Sequence, residues 1–403
     1  IMLPAALALA GCGEKTTPTQ PDQTDKAANA SVSVTSDGKT VVRIGLSGSV
    51  TEIAPYASTN EYAEPIRNTI FESLFVKPTI SSTETIPVIG KSWKMIDDRT
   101  AEIEIFDYVH DVDGNPITAS DVVYSYETCK AAGVQTDTAY IDSVTATGEY
   151  TLEMALTEPS ETTMIKLLTH VAIVNETANK NNPDATPGTT AYKLTSYTAG
   201  AEYVCEKTDN YWQTDESLIA YTSKANVDKL VFEIITEAAQ TTTALETGEI
   251  QMAIGADGRE AARFEEGGED SDGFCVDTNA GSFSLVLLFN CTDSSLCSDV
   301  NFRKACLYAI DTETLVRIVL NGAGVPAKDM VSNQLAGYNP EWLEGDYYTA
   351  DPDKAQEYLA QSGYNGETIR LEGSNSYSGE LQLMQSQLSA AGIKSEIQTF
   401  ENA

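Results

Sequence analysis

The chain has 403 residues, which is room for two or three units with a core of their own. Its 25 Lys and Arg residues against 60 Asp and Glu residues give a formal net charge of −35. This excess argues against binding to nucleic acid or to anionic lipid, because both need basic patches. The charge is typical of a highly solvated surface; attraction of a cationic solute is an alternative that total charge does not decide.

The N-terminal residues resemble the end of a bacterial secretion signal. Residues 1–10 are apolar and uncharged, and Leu9-Ala10-Gly11-Cys12 matches a lipobox, in which small residues precede a cysteine. The match implies cleavage before Cys12 and a diacylglyceryl group on its sulfur. Residues 1–12 are therefore predicted to be a partial lipoprotein signal, which lacks the Lys/Arg-bearing start of a complete one. The alternative is an ordinary apolar N-terminus that happens to precede a cysteine.

A polar segment follows the predicted signal. Residues 13–38 are rich in Thr, Gln, Asp, Ala, Ser and Lys and contain almost no large apolar side chain. Such a segment cannot bury enough surface to offset its ordering entropy, so we expect a disordered tether. No run of about eighteen apolar residues follows it, so no membrane span is predicted.

From residue 40 onward the sequence predicts a mixture of strands and helices. Alternating or β-branched patterns predict strands at 40–47, 100–107, 149–156, 230–235, 282–290, 368–372 and 394–399. Apolar spacing and end signals predict helices at 64–74, 118–126, 238–246, 301–320, 351–361 and 380–390. Thr118 and Asp121 form a near capping box at the start of the second helix. The mixture indicates an α/β chain with several lobes around more than one sheet.

The cysteines and histidines limit the chemistry. Of seven cysteines, Cys12 is assigned to the lipid, and Cys291 with Cys297 would close a short disulfide loop or stay reduced. Cys306 lies in a helical pattern and is predicted to be a small buried apolar side chain. The chain has no Cys-x-x-Cys motif and two histidines, so no zinc site is expected. It also lacks a nucleophile elbow and a phosphate-binding glycine loop, so no enzyme and no cofactor are predicted.

Ten motifs follow one another in a characteristic order. The longest is Asp113–Ser125 (DGNPITASDVVYS). The shorter ones are Ile70–Leu74, Val88–Trp93, Asn210–Trp212, Thr247–Ile250, Phe289–Asn290, Arg303–Ala305, Tyr308–Asp311, Asp351–Ala355 and Ser362–Tyr364. Together they resemble family 5 of the extracellular solute-binding proteins, the oligopeptide, dipeptide and nickel binders of ABC importers. The resemblance covers residues 41–403, with departures at Ala54, where many members have Asp, and at Asn301, where a basic residue is lost.

The resemblance implies an architecture. It is the type 2 periplasmic-binding-protein fold, an α/β fold with two lobes that close on the ligand, plus an extra subdomain. Lobe I is expected to comprise 39–70 and 188–290, the extra subdomain 71–187, and an incomplete lobe II 291–403. Family members run on by a hundred residues or more, so we expect a C-terminally truncated fold whose ligand-amine clamp lies past residue 403.

The resemblance also implies a function: capture of oligopeptides or dipeptides and their delivery to a permease. Glu61 is expected to pair with a ligand cation, and Asn290 to donate and accept hydrogen bonds. The alternatives are a solvated loop acid and a strand-ending turn residue. The predicted ligand contacts are Thr59, Asn60, Glu61, Tyr140, Phe289 and Asn290.

Partners and location follow from the same resemblance. The expected partners are a peptide ligand and the permease and ATPase subunits of an importer. The expected state is an extracytoplasmic monomer that meets the membrane through the lipid on Cys12 alone. One alternative function is binding of a metal chelate, a sugar or an opine. Another is a role as a surface sensor or adhesin.

Overall fold

The computed structural model describes residues 33–34, 38–57, 60–79, 82–256, 258–261, 263–265, 273–277, 285–320, 322, 324–327, 338–339, 341, 344 and 348–400. Every structural statement below concerns these residues. They form two units: unit 1 comprises those up to residue 260 together with 273–275, and unit 2 comprises 261–265 and those from 276 onward. The predicted lipid attachment at Cys12 lies outside the described residues.

Unit 1 combines strands of two to seven residues with helices of four to fourteen residues. Its strands are β1 (Ser33–Val34), β2 (Thr40–Leu46), β3 (Phe75–Val76), β4 (Ile86–Pro87), β5 (Gly90–Met95), β6 (Thr100–Ile105), β7 (Ile141–Ala146), β8 (Thr151–Leu156), β9 (Tyr192–Thr198), β10 (Glu202–Lys207), β11 (Lys229–Ile234) and β12 (Met252–Ile254). Its helices are α1 (Glu64–Ile70), α2 (Ala119–Ala132), α3 (Glu161–His170), α4 (Glu176–Asn181), α5 (Ala238–Glu246) and, at the unit boundary, α6 (Gly258–Ala261).

Unit 2 is smaller. Its helices are α7 (Val300–Ala309), α8 (Thr312–Ile318), α9 (Pro352–Gln361) and α10 (Ser378–Ala390), and its strands are β13 (Thr368–Ser374) and β14 (Lys394–Phe400). Short 3-10 helices occur in both units, at Glu61–Ala63, Thr136–Tyr140, Pro183–Ala185, Tyr221–Ser223, Leu296–Ser298 and Asn375–Tyr377.

The main sheet of unit 1 is built around β2. Its strands run in the order β1-β2-β11-β10-β9, and β12 pairs with the same edge of β2 as β1. β2 is parallel to β11 and β12, while the other neighbours are antiparallel. A central strand is covered on both faces, which explains its nearly continuous apolar sequence; Ile44 and Leu46 are fully buried.

A second sheet of unit 1 has the order β5-β6-β8-β7 and is antiparallel throughout. β6 and β8 alternate buried and half-buried residues, as expected of a sheet with one face on the core. α2 packs against β7 and β8. Most buried apolar residues of both sheets belong to one continuous core, and Val41, Val204 and Val231 form a small separate cluster. Unit 1 is therefore held together mainly by burial of apolar surface.

Unit 2 is a β-α-β arrangement with further helices. β13 and β14 are parallel and are joined through α10, which packs on both. α7 packs against α9, and the core is formed by Phe302, Cys306, Leu371, Leu388 and Ile393 among others. Across the described part of the chain, no helix is long and apolar enough to cross a membrane. The predicted α/β fold class is confirmed.

Most of the predicted elements are confirmed, several with their local end signals. Thr118 N and Oγ1 both donate to Asp121 Oδ2, at 2.8 and 2.7 Å, so the capping box of α2 is present. Asp351 Oδ1 accepts from the backbone N–H groups of Asp353 and Lys354 and caps α9. α5 ends before Gly248, whose φ of 74° favours glycine.

The predicted helix at 301–320 is wrong as a single helix. The structure has α7 and α8 with a break at Ile310 and Asp311. Ile310 has an extended backbone, and the Asp311 carboxylate accepts from Thr314 N at 3.0 Å and from Thr314 Oγ1 at 2.6 Å. An N-cap inside an apolar pattern therefore ends one helix and starts another.

Three other predictions need correction. The predicted strand at 282–290 is absent from its described part, because 285–290 pairs with no described strand and Leu288 is 80% exposed. The helix predicted at 64–74 ends at Ile70, where Phe71 turns to an extended conformation. Within the predicted disordered tether, Ser33 and Val34 pair with Val41 and Thr40 as a short strand. The domain boundaries stay predictions.

Candidate functional site

The parallel strands of unit 1 end together at one edge of the main sheet. Ile235 N donates to Leu46 O at 2.9 Å, which joins the ends of β11 and β2. Ser47 N donates to Ile254 O at 3.4 Å, and Ser47 Oγ donates to Gly255 O at 2.6 Å, which joins β2 to β12. Ligands of α/β sheets bind outside the carboxyl ends of parallel strands, so this carboxyl edge is the candidate site of unit 1.

Two glycines allow the chain to pack closely at the carboxyl edge. A Cβ on Gly48 would lie 2.0 Å from Cδ2 of Tyr62, so only glycine fits beneath this ring. A Cβ on Gly255 would lie 2.6 Å from Ser47 Oγ, and the φ of Gly255 is +73°. The backbone here approaches the neighbouring loop more closely than any larger residue would permit.

Asn60 positions the loop that follows β2. Its Oδ1 accepts from Tyr62 N at 2.9 Å and caps the 3-10 helix, while its Nδ2 donates to Ser49 O at 2.7 Å. Arg67 donates to the carbonyl oxygen of Asn60 at 2.9 Å. The side chain of Asn60 is thus engaged with the protein at both ends. The carboxylate of Glu61, the next residue, is left exposed at the edge.

The buried guanidinium of Arg67, which contacts this loop, is neutralised by an acid in the same helix. The side chain of Arg67 is 6% exposed, and its guanidinium donates to Glu64 Oε1 at 2.7 Å, one turn earlier in α1. A buried charge without such a partner would be costly, so the ion pair secures α1 against the loop.

Glu72, just after α1, lies at the centre of a hydrogen-bond network that sequence reasoning missed. Its Oε1 accepts from Ser223 Oγ at 2.6 Å and from Tyr211 OH at 2.9 Å, and its Oε2 accepts from Trp212 Nε1 at 3.0 Å. Burial raises the pKa of Glu72, and the three donors oppose that rise. The acid at position 72, in a motif whose other residues apart from Ser73 are apolar, was the available signal.

The structure brings together only part of the predicted ligand contacts. Asn60 and Glu61 are neighbours at the carboxyl edge, and Thr59 lies outside the described residues. Tyr140 is 51% exposed and precedes β7, so it belongs to the antiparallel sheet and not to the carboxyl edge.

The other two predicted contacts lie in unit 2. Phe289 is partly buried against the core of that unit. Asn290 Oδ1 accepts from Thr292 N at 3.1 Å and from Thr292 Oγ1 at 2.9 Å, the pattern of a turn residue. Asn290 is therefore the start of a turn and not the end of a strand, and the ligand roles of all six residues stay predictions.

The cysteines of the described chain are reduced. Cys291 and Cys297 are free thiols, and Cys291 Sγ donates to Phe289 O at 3.4 Å. Cys306 is 2% exposed, and burial raises its pKa to about 12, as expected of the small buried side chain predicted from the sequence. Among the described residues, no three His, Cys, Asp or Glu side chains are grouped to hold a metal ion.

Comparison with known proteins places the chain in a family. Residues 84–403 match the family described as bacterial extracellular solute-binding proteins, family 5 Middle. The dipeptide-binding protein of Escherichia coli (strain K12) is 25% identical over 316 residues, which are 70% of this chain and 56% of that protein. The chain thus spans just over half the length of this curated relative.

Solved structures share the fold. DppA of Helicobacter pylori, in complex with the peptide STSA, aligns with a TM-score of 0.71 at 20% identity, over 90% of this chain and 74% of that one. NikA of Staphylococcus aureus, in complex with Ni(L-His)2, aligns with a TM-score of 0.69 at 21% identity over the same shares. The fold predicted from the motifs is confirmed, and the chain belongs to the bacterial extracellular solute-binding proteins of family 5.

Proposed function

We propose that this chain is part of an extracytoplasmic solute-binding protein that captures oligopeptides or dipeptides for an ABC importer. The observation that carries the proposal is the family match over residues 84–403, together with a curated relative named as a dipeptide-binding protein. The structure of DppA from Helicobacter pylori, which holds a peptide, supports the same ligand class.

The carboxyl edge offers chemistry that suits a peptide. A peptide brings a cationic amino terminus and a row of backbone donors and acceptors. Glu61 presents an exposed carboxylate at this edge, and Asn60 holds the loop in place through its bonds to Tyr62 N and Ser49 O. We assign Glu61 to the ligand's positive charge and Asn60 to positioning. The predicted contacts at Thr59, Tyr140, Phe289 and Asn290 and the predicted closure on the ligand belong to the same proposal.

The lipid anchor on Cys12 and the permease and ATPase partners are also part of the proposal. Small residues before Cys12 and the polar composition of 13–38 support a lipid-anchored protein on a tether. A tether of this kind would hold a monomeric binding protein near its permease, because linker length sets the effective concentration.

A second candidate is a protein for a non-peptide solute such as a metal chelate. The observation that favours it is the likeness in fold to NikA of Staphylococcus aureus, which was solved with Ni(L-His)2. A metal chelate is bound by side chains that contact the metal and its organic ligands. Its site therefore needs a different set of side chains from a site that binds a peptide.

A ligand panel tests the proposed function. The full-length protein that contains this chain is screened by thermal shift with di- to pentapeptides, a nickel–histidine chelate and free amino acids. We expect at least one peptide class to raise the melting temperature in proportion to the logarithm of its concentration, because a ligand that binds only the folded state stabilises it. Isothermal titration with the best peptide then gives one site per chain.

The panel also has a contradicting outcome. A rise with the chelate and none with any peptide would replace the peptide assignment by the second candidate. A flat response to every compound, with mass spectrometry showing no co-purified solute, would contradict both.

A further inference from the structure

Tyr62 joins the ends of two parallel strands at the carboxyl edge. A Cβ on Gly48, in the loop after β2, would lie 2.0 Å from Cδ2 of Tyr62. A Cβ on Gly255, directly after β12, would lie 3.5 Å from Cε1 of the same ring. Cδ2 and Cε1 lie opposite each other in the phenol ring. The ring therefore reaches from the backbone at one strand end to the backbone at the other.

The ring of Tyr62 belongs to the 3-10 helix Glu61–Ala63, which is a single turn. A 3-10 helix has 3.0 residues per turn, so its successive side chains point about 120° apart. Ala63 is fully buried, Tyr62 is partly buried against the core of unit 1, and Glu61 is exposed. The direction of the Glu61 side chain thus depends on how its two neighbours in the turn are packed.

The carboxylate of Glu61 has no other anchor among the described residues, where it accepts no hydrogen bond and forms no ion pair. The bonds that hold this loop are made by Asn60, whose side chain donates to Ser49 O at 2.7 Å and accepts from Tyr62 N at 2.9 Å. They fix the start of the turn. The contact of Tyr62 with the strand ends holds the turn at the position next to Glu61.

The contact requires an aromatic ring on one side and glycines on the other. Leucine at position 62 would end at Cδ, one bond short of the ring atom that reaches Gly255, whereas phenylalanine would keep both contacts. Alanine at position 48 would displace the ring, because its Cβ would overlap Cδ2 of Tyr62. Gly48 does not have a positive φ, so its backbone accepts alanine and the ring is what has to move.

We propose that Tyr62 is a positioning residue, which fixes the direction in which Glu61 faces the positively charged amino terminus of a peptide. The ring acts through its packing on Gly48 and Gly255. The inference rests on the proposed function, because it was there that Glu61 was assigned to the ligand's positive charge.

Hydrogen exchange measured by mass spectrometry tests the packing of the turn without a ligand. The full-length protein that contains this chain is compared with its variants in fragments that cover residues 60–63, where Tyr62 N and Ala63 N donate to Asn60. We expect faster exchange in Tyr62→Leu and Gly48→Ala and the parent rate in Tyr62→Phe, which keeps the ring. Unchanged exchange in both Tyr62→Leu and Gly48→Ala would overturn the proposal.

Gly363→Ala is the matched control for Gly48→Ala. A Cβ on Gly363 would meet no atom closer than Asp299 Oδ2, at 3.8 Å, which is an ordinary contact. Its exchange in fragments 60–63 and its peptide affinities should equal those of the parent protein.

Isothermal titration with trialanine and with N-acetyl-trialanine tests the effect on recognition. Acetylation removes the charge of the amino terminus, so the parent protein should bind the free form roughly tenfold or more tightly. We expect Tyr62→Leu and Gly48→Ala to bring this ratio close to one by weakening the free form alone. Tyr62→Phe should keep the parent's ratio.

A double variant separates positioning from general support of the fold. Glu61→Gln removes the carboxylate, so the two peptides should bind it equally well. Adding Tyr62→Leu to Glu61→Gln should then change neither affinity further, because a residue that acts through Glu61 has no carboxylate left to orient. A loss that is as large in the double variant as in Tyr62→Leu alone would overturn the proposal.

Other outcomes distinguish the failure of this inference from that of the proposed function. Equal weakening of both peptides by Tyr62→Leu would show that the ring supports the fold and not the direction of Glu61. A parent protein that binds both forms equally, or neither, would contradict the assignment of Glu61 and with it the ligand role of Tyr62. Hydrogen exchange would still show in that case whether the ring holds the turn.

Discussion

Glu72 joins three separate segments of unit 1 through a single carboxylate. Its donors are Tyr211, Trp212 and Ser223, which lie more than a hundred positions away in the sequence. The side chain is buried, so its ionised form loses solvation. The pKa of Glu72 is raised because this loss of solvation exceeds the stabilisation of the carboxylate by the three donors. The network thus fixes the geometry of the segments at a cost that depends on pH.

The sign of that dependence gives a prediction. The pKa of Glu72 in the folded state lies above its unfolded value of about 4.5. The contribution of this group to the free energy of unfolding is therefore complete below pH 4.5 and is lost as the pH rises through the folded-state pKa. Glu72→Gln mimics the protonated acid, so the stability of the parent chain relative to this variant should decrease as pH rises from about 4.5 to 8. Urea unfolding monitored by Trp fluorescence across this range measures the difference.

The control for Glu72 separates charge from hydrogen bonding. Glu72→Ala removes the acceptors for three donors, and leaving buried donors unsatisfied costs about 1–3 kcal/mol each. We therefore expect Glu72→Ala to be less stable than Glu72→Gln at every pH. Parallel pH profiles of the parent chain and Glu72→Gln would show that this carboxyl does not titrate differently on folding.

Local signals explain which elements could be predicted. The ends of α2 and α9 depend on Thr118 with Asp121 and on Asp351, whose bonds reach residues two or three positions away. The strand predicted at 282–290 would instead need a neighbouring strand to pair with, and an apolar sequence cannot show whether such a neighbour is present. Glu72 was missed for the same reason, whereas Asn60 and Glu61 are adjacent in sequence and their shared loop was predictable.

The junction between α7 and α8 is the element for which the capping signal was overlooked. Asp311 caps α8, and it is also docked on α10, because Gln387 Oε1 accepts from Asp311 N at 3.1 Å and Gln387 Nε2 donates to Asp311 O at 3.2 Å. The hydrogen bonds from Thr314 lower the pKa of Asp311. The break is therefore stabilised both along the chain and across it.

A cap substitution tests this junction. Asp311→Ala removes both acceptors of Thr314, and loss of such a cap costs about 0.5–2 kcal/mol. Asp311→Asn is the matched control, since asparagine caps a helix about as well as aspartate. We expect a lower melting temperature by circular dichroism for Asp311→Ala and little change for Asp311→Asn. An equal decrease in melting temperature in both variants would show that the negative charge of Asp311, and not its capping hydrogen bonds, stabilises the junction.

At the scale of the whole molecule, charge acts against compactness. The formal net charge is −35, and a net charge far from zero destabilises the folded state by self-repulsion. The ion pairs of the described chain are mostly exposed, for example Lys94 with Glu102 and Lys91 with Glu104. Each such pair contributes about 0–1 kcal/mol to the free energy of unfolding. Added salt therefore weakens little attraction between opposite charges and screens much repulsion between the acidic side chains.

Added salt should therefore stabilise this chain. We expect the melting temperature to rise as NaCl is raised from low to physiological concentration, because the Debye length falls to about 8 Å and repulsion between separated acids is screened. KCl at equal ionic strength should act in the same way, since screening does not depend on the cation. A rise with one of the two salts alone would indicate a bound ion, and a melting temperature that falls with both would show that attractive pairs outweigh the repulsion.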